Sequence, residues 1–93
     1  MDITAVTLFR ADGTSQVLDH VPELEEAKKL VGGWVERVCP KHAPNVIFLC
    51  NEEGLIRQLP VNEVGCQLYG PYSPICGDIV VIPRKVKGAR KWL

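Results

Sequence analysis

The residues best equipped for chemistry lie in loops and turns. Cys39-Pro40-Lys41-His42 sets a thiol and an imidazole three positions apart, which is how a zinc site can begin. Zinc takes about four ligands in a tetrahedral array, and the others would have to come from Cys66, Cys76 or His20 on distant elements. No resident metal or cofactor is expected. A nucleophilic Cys or Ser needs an adjacent base and a group that orients it, and His20 and His42, the two histidines, sit in no motif that supplies either. Glu52 and Glu53 are the right type for a general acid–base pair, but neighbours on a turn point apart. There is no Walker loop and no GxGxxG, so Gly32-Gly33 reads as a helix end. A small enzyme is therefore the minor expectation.

Recognition chemistry is better represented. Trp34, Glu36, Asn51, Arg57 and Asn62 share one rim if the strand from Trp34 runs beside a hairpin formed by the next two segments. Trp34 would offer an aromatic face for a base, Arg57 a guanidinium for phosphate, and the amides polar edges. A structural reading competes on equal terms. Asn51 and Asn62 are natural turn and cap residues, Trp34 suits a core, and Glu36 with Arg57 suits a cross-strand pair.

The elements that must position these residues can be read in order. Residues 3–9 are β-branched and aromatic, Ala11-Asp12-Gly13-Thr14 is a turn, and residues 15–18 return as a second strand. After Pro22, the acids Glu23, Glu25 and Glu26 precede Lys28 and Lys29, matching the helix dipole. Leu24, Ala27, Leu30 and Val31 recur at helical spacing. Gly32-Gly33 ends that helix. Residues 34–39 form a strand with charges on both faces, Pro40 to Pro44 a loop, and residues 46–50 a strand apolar on both faces. Asn51 to Gly54 is a turn, from which residues 55–59 return as the second hairpin strand until Pro60. Asn62 caps a candidate short helix that Gly65 weakens, residues 70–74 form a loop, and residues 79–82 close the sheet.

Ninety-three residues with 46% apolar and 24% charged side chains make one folded domain. Net charge is zero but unevenly spread. Residues 1–83 hold six Lys or Arg and eleven Asp or Glu, whereas residues 84–93 hold five Lys or Arg and no acid. Arg84, Lys85, Lys87, Arg90 and Lys91 form a basic tail that could meet nucleic acid, although a solvated end folding back on the acidic body is the plainer reading. No apolar run reaches the roughly 20 residues of a membrane span. Cys39, Cys50, Cys66 and Cys76 read as free and mostly buried thiols. The expected architecture is a single α+β domain over residues 1–83. It has a mixed, mostly antiparallel sheet of five or six strands, one amphipathic helix, a candidate second short helix, and a tail at 84–93. The doubly apolar strand at 46–50 calls for a cover on its far side, and a homodimer would supply one.

Four segments carry a family likeness: Leu30-Val31-Gly32-Gly33-Trp34-Val35-Glu36-Arg37-Val38, Cys50-Asn51-Glu52-Glu53-Gly54-Leu55, Leu59-Pro60-Val61-Asn62 and Cys76-Gly77-Asp78-Ile79-Val80-Val81. In this order and spacing they resemble the DUF3846 family, small domains associated with phages and mobile elements, in which tyrosine usually stands at the position of Trp34. The resemblance covers about residues 24–82. It implies a host-cell cytoplasmic setting and names no ligand. With the rim residues, it leads to the expectation of a non-catalytic binding protein that sequesters a small nucleotide-like ligand or occupies a host defence protein. The alternatives are a nucleic-acid-binding accessory domain using the tail and a small enzyme.

Overall fold

In the computed structural model, which describes residues 2–71 and 73–93, five strands and two helices follow one another along the chain. They are β1 (Thr7–Phe9), β2 (Ser15–Val17), α1 (Leu24–Val31), β3 (Val35–Val38), β4 (Val46–Asn51), α2 (Glu63–Tyr69) and β5 (Ile79–Pro83), with a 3-10 turn at Ala89–Trp92. The sheet order is β2-β1-β5-β4-β3. Every pairing is antiparallel, so the expected α+β class holds and the described sheet has no parallel member. Of the loop expected at residues 70–74, Tyr72 lies outside the described residues.

Period-two alternation along β4 and β5 builds two cores back to back. Ile47, Leu49, Val80 and Ile82 face one way, toward Ala27 of α1 and Ala89. Val46, Phe48, Cys50, Ile79 and Val81 face the other way, toward Leu68 of α2 and Ile75. Phe48, Ile47, Leu49, Ile79 and Ile82 are fully buried, and each such side chain contributes about 1.5–3 kcal/mol of burial. The chain itself thus covers both faces of β4, and that strand's composition needs no second copy to explain it.

The C-terminal residues supply part of that cover. The Trp92 Nε1–H donates to Pro22 O at 2.9 Å, Lys91 Nζ donates to Val21 O and pairs with Glu23 at 2.7 Å, and Arg37 Nη1 donates to Trp92 O. Val86 and Trp92 pack against the α1-side core, and Ala89 is buried in it. The basic segment folds back on the acidic body, as expected of it, and does so through specific contacts rather than as a solvated end.

Residues 55–59 correct the reading of a second hairpin. Both edges of β4 are already filled, by β3 and β5, so no ladder is left for them. They form instead one helical turn: Arg57 N–H donates to Glu53 O, Gln58 N–H to Leu55 O and Leu59 N–H to Gly54 O. The last two bonds, with Gln58 at φ 56°, are the pattern that closes a helix in the left-handed conformation. Alternation over five residues carries no strand without a partner. α2 corrects the reading in the other direction. Gly65 does not weaken it but permits it, because a Cβ there would stand 2.6 Å from Ile75 Cγ2.

Candidate functional site

The site begins where α1 stops. Gly32 adopts φ 81° as the helix C-cap, and the N–H groups of Gly32 and Gly33 both converge on Lys28 O. An L side chain resists that left-handed geometry. Two carbonyls at this end, of Val31 and Gly32, lack helical partners and are met from outside: Asn51 Nδ2 donates to Val31 O at 3.2 Å and Arg57 Nη1 to Gly32 O at 3.2 Å. A guanidinium is well placed there, since the helix dipole leaves partial negative charge at a C-terminus. The approach is close. A Cβ on Gly33 would lie 2.9 Å from Asn51 Nδ2 and 3.4 Å from Arg57 Nη1.

The five rim residues separate into three groups in the fold. Asn51 and Arg57 share this corner. Asn51 is buried, and its Oδ1 also accepts the Glu53 N–H at 2.8 Å, so its amide is occupied on both sides. Trp34 stands next to the corner at the surface rather than in the core, with 61% of it exposed. Lys28 Nζ sits 4.1 Å from its ring centroid, a cation–π contact that stiffens the indole. Glu36 is exposed on β3 opposite Cys50 and lines a different groove with Leu55 and Ile56. Its suggested cross-strand pairing with Arg57 does not form, because Arg57 is in no strand.

Asn62 does not reach the rim. It is 1% exposed. Its Oδ1 caps α2 by accepting the Gly65 N–H at 3.0 Å, and its Nδ2 donates to Phe9 O and Gly77 O, each at 2.9 Å. It is the expected cap, and it also ties β1 and the entry to β5 to the helix.

Arg57 opens onto a groove of about 440 Å³, within the usual range of small-molecule sites. Arg10 from the end of β1 and Lys29 from the last turn of α1 bring two further cations to it, beside Asp12 and Asp78. Arg10 is braced by Gln16 Oε1 at 2.7 Å, and Asp78 Oδ1 accepts the Ala11 N–H at 2.9 Å. Hydrogen bonds from Thr14, through its side chain and then its backbone, hold Asp12 below the usual carboxylate range. Arg10 and Lys29 carry no signal in the sequence that joins them to Arg57. They meet only because β1 lies next to β5 and α1 ends above them.

The remaining candidates fall elsewhere. Cys39 is exposed, Cys66 half-buried, and Cys50 and Cys76 are buried; all four are free thiols. Burial, with a smaller effect from Glu36, pushes the Cys50 thiol up to about 12, so it stays protonated at neutral pH and packs as an apolar group. Among the described residues, no group of three or more His, Cys, Asp or Glu is placed to share a metal ion, and no helix is long and apolar enough to cross a membrane. Of the five tail cations, Lys91 is tied to Val21 and Glu23, and Arg84 Nε donates to Pro44 O. Lys85, Lys87 and Arg90 are exposed.

A five-stranded antiparallel sheet with one helix on each face and a groove at the end of α1 defines a small two-core α+β domain. The chain belongs to the DUF3846 family, a domain of unknown function whose model matches residues 3–90. The match takes in the first hairpin and most of the basic segment, beyond the stretch where the likeness is plainest. No curated protein matches the chain, and no solved structure does.

Proposed function

We propose that this protein is a non-catalytic binding module that holds a small, nucleotide-like ligand at the α1 corner. One observation carries the reading: Arg10, Lys29 and Arg57 meet around a groove of about 440 Å³ that Gly32, two residues before the exposed Trp34, helps to line. Phosphate oxygens would take the guanidinium and ammonium donors, and a base would stack on the open face of Trp34, whose other face carries Lys28. Asp12 and Asp78 on the same wall oppose a bare polyanion and suit a ligand that also offers donors, such as a ribose or an exocyclic amine. In the phage or mobile-element setting that the resemblance implies, a protein that binds without turnover would act by withholding its ligand from a host protein.

The test is calorimetric titration with nucleoside mono-, di- and triphosphates, with the bound ligand recovered afterwards on denaturation. Binding that is lost in both Arg57→Ala and Trp34→Ala, with the nucleotide recovered unchanged, supports the proposal; recovered product would make the protein an enzyme. The nucleic-acid alternative rests on Lys85, Lys87 and Arg90. Reversing these three charges tests it better than deleting the segment, because deletion would also remove Trp92 from Pro22. Salt-sensitive oligonucleotide binding that survives Arg57→Ala and fails in the charge-reversed variant would replace the proposal.

A further inference from the structure

β3 closes one side of the sheet, and among the described residues no strand pairs with its outer edge. Glu52 N–H donates to Trp34 O, which sets the phase of the β3–β4 ladder. Glu36 and Val38 turn their main-chain groups toward Cys50 and Phe48, and Val35 and Arg37 turn theirs away from the sheet. The two faces of β3 then differ. On one, Val35 packs into the α1-side core and Arg37 reaches Trp92 O. On the other, Tyr69 of α2, Pro74 and Ile75 border a groove of about 340 Å³ over Val38 and Cys50. Leu55 and Ile56, 56% and 82% exposed, form one wall. Glu36 and Glu52 stand on the rim, and no Lys or Arg is among the lining residues.

We propose that the edge of β3 and this acidic, apolar-walled groove accept an extended basic segment of another protein as a sixth strand. The added strand would exchange hydrogen bonds with Val35 and Arg37, set lysine or arginine opposite Glu36 with its side chain directed across β3 toward Glu52, and lay an apolar side chain against Leu55 and Ile56. A second copy of this chain fits poorly. In a two-fold antiparallel pair, residues on the same face must oppose one another. The two registers that pair most of Val35–Val38 set Glu36 against Glu36 or Arg37 against Arg37, and like charges directly opposite are unfavourable. The same charges that block self-pairing select a partner of complementary pattern.

The probe is a short peptide in which lysine alternates with valine or leucine, compared with a counterpart carrying glutamate for lysine. Binding followed by amide chemical shifts should move Val35 and Arg37 with the lysine peptide and not with its counterpart. Glu36→Lys combined with Glu52→Lys, both on exposed positions, should weaken the lysine peptide about tenfold, and methylating the peptide's amides should abolish binding. The proposal is overturned by no binding at millimolar peptide, by shifts that miss Val35 and Arg37, by indifference to the charge reversal, or by a dimer in sedimentation whose dissociation shifts those two amides.

Discussion

Asn62 and Asn51 are both buried amides bonded to main chain, yet Asn62 is sealed between α2, β1 and the entry to β5, whereas Asn51 works beside an exposed arginine at the mouth of a groove. The first bend is closed: every polar atom of its amide faces protein. The second is shared between a buried amide and a solvated cation, so part of its hydrogen-bonding capacity faces outward. The difference separates a residue that holds the fold from one that can hold the fold and a ligand together. Sequence type does not distinguish them, since both are asparagines at turns. What distinguishes them is how much of the surrounding donor set is left over.

The sharpest way to break this comparison is Asn62→Ala. It removes a helix cap and strips partners from Phe9 O and Gly77 O, and a loss of about 3 kcal/mol in urea unfolding is expected. Asn62→Asp keeps the acceptor, loses the donors, and should not rescue. A loss under about 1 kcal/mol would mean that the bend is held by other contacts. Asn51→Ala should cost about 1–2 kcal/mol, because it removes two hydrogen bonds, to Val31 O and from the Glu53 N–H, and no helix cap. Gln58→Gly should gain about 0.5–1 kcal/mol, the left-handed strain of Gln58 being partly offset by the flexibility of glycine in the unfolded chain. Arg57→Ala should change stability by less than about 1 kcal/mol while removing nucleotide binding, the outcome that most clearly separates the open bend from the closed one.

The smallest effect concerns pH. Hydrogen bonds that His20 donates to Asp19 and then to Glu26 hold its pKa above the ordinary value of 6.5, and the first of these bonds holds Asp19 below the usual carboxylate range. The raised histidine contributes stability that is complete below 6.5 and lost as pH rises through its folded value. Asp19 contributes stability above its unfolded value that is lost on acidification. The bridge from Asp19 through His20 to Glu26 is therefore strongest in mildly acidic solution. All three groups are at the surface, so His20→Gln should flatten the slope of stability between pH 6 and 8 only slightly.

What could be read in advance was whatever a local pattern decides. α1 followed from its acid-to-base gradient and apolar spacing, its end from Gly32, β4 and β5 from their apolar runs, and the start of α2 from Asn62. Residues 55–59 do not return as a strand because a strand needs a neighbour, and which neighbours β4 has is decided by β3 and β5, not by the alternation of Leu55, Arg57 and Leu59. Of the three cations that line the α1 groove, Arg57 carries a signal in the sequence, whereas Arg10 and Lys29 are obscured for the same reason, since they are gathered by strand order. Glu36, one of the charges that the sequence puts on both faces of its strand, lines the other groove.

Strand order also bears on how the molecule assembles. β1 with β2, and β3 with β4, are local hairpins, and β5 pairs with both β1 and β4. Neither hairpin can bury its inner edge until a segment remote from both enters between them, so loop closure over long stretches of chain must precede most of the energetic return. Folding should therefore be slow for a chain of this size, with substitutions in β5 retarding it more than substitutions in either hairpin. Until β5 arrives, β1 and β4 present open, apolar edges, and aggregation rather than proteolysis is the hazard of that interval.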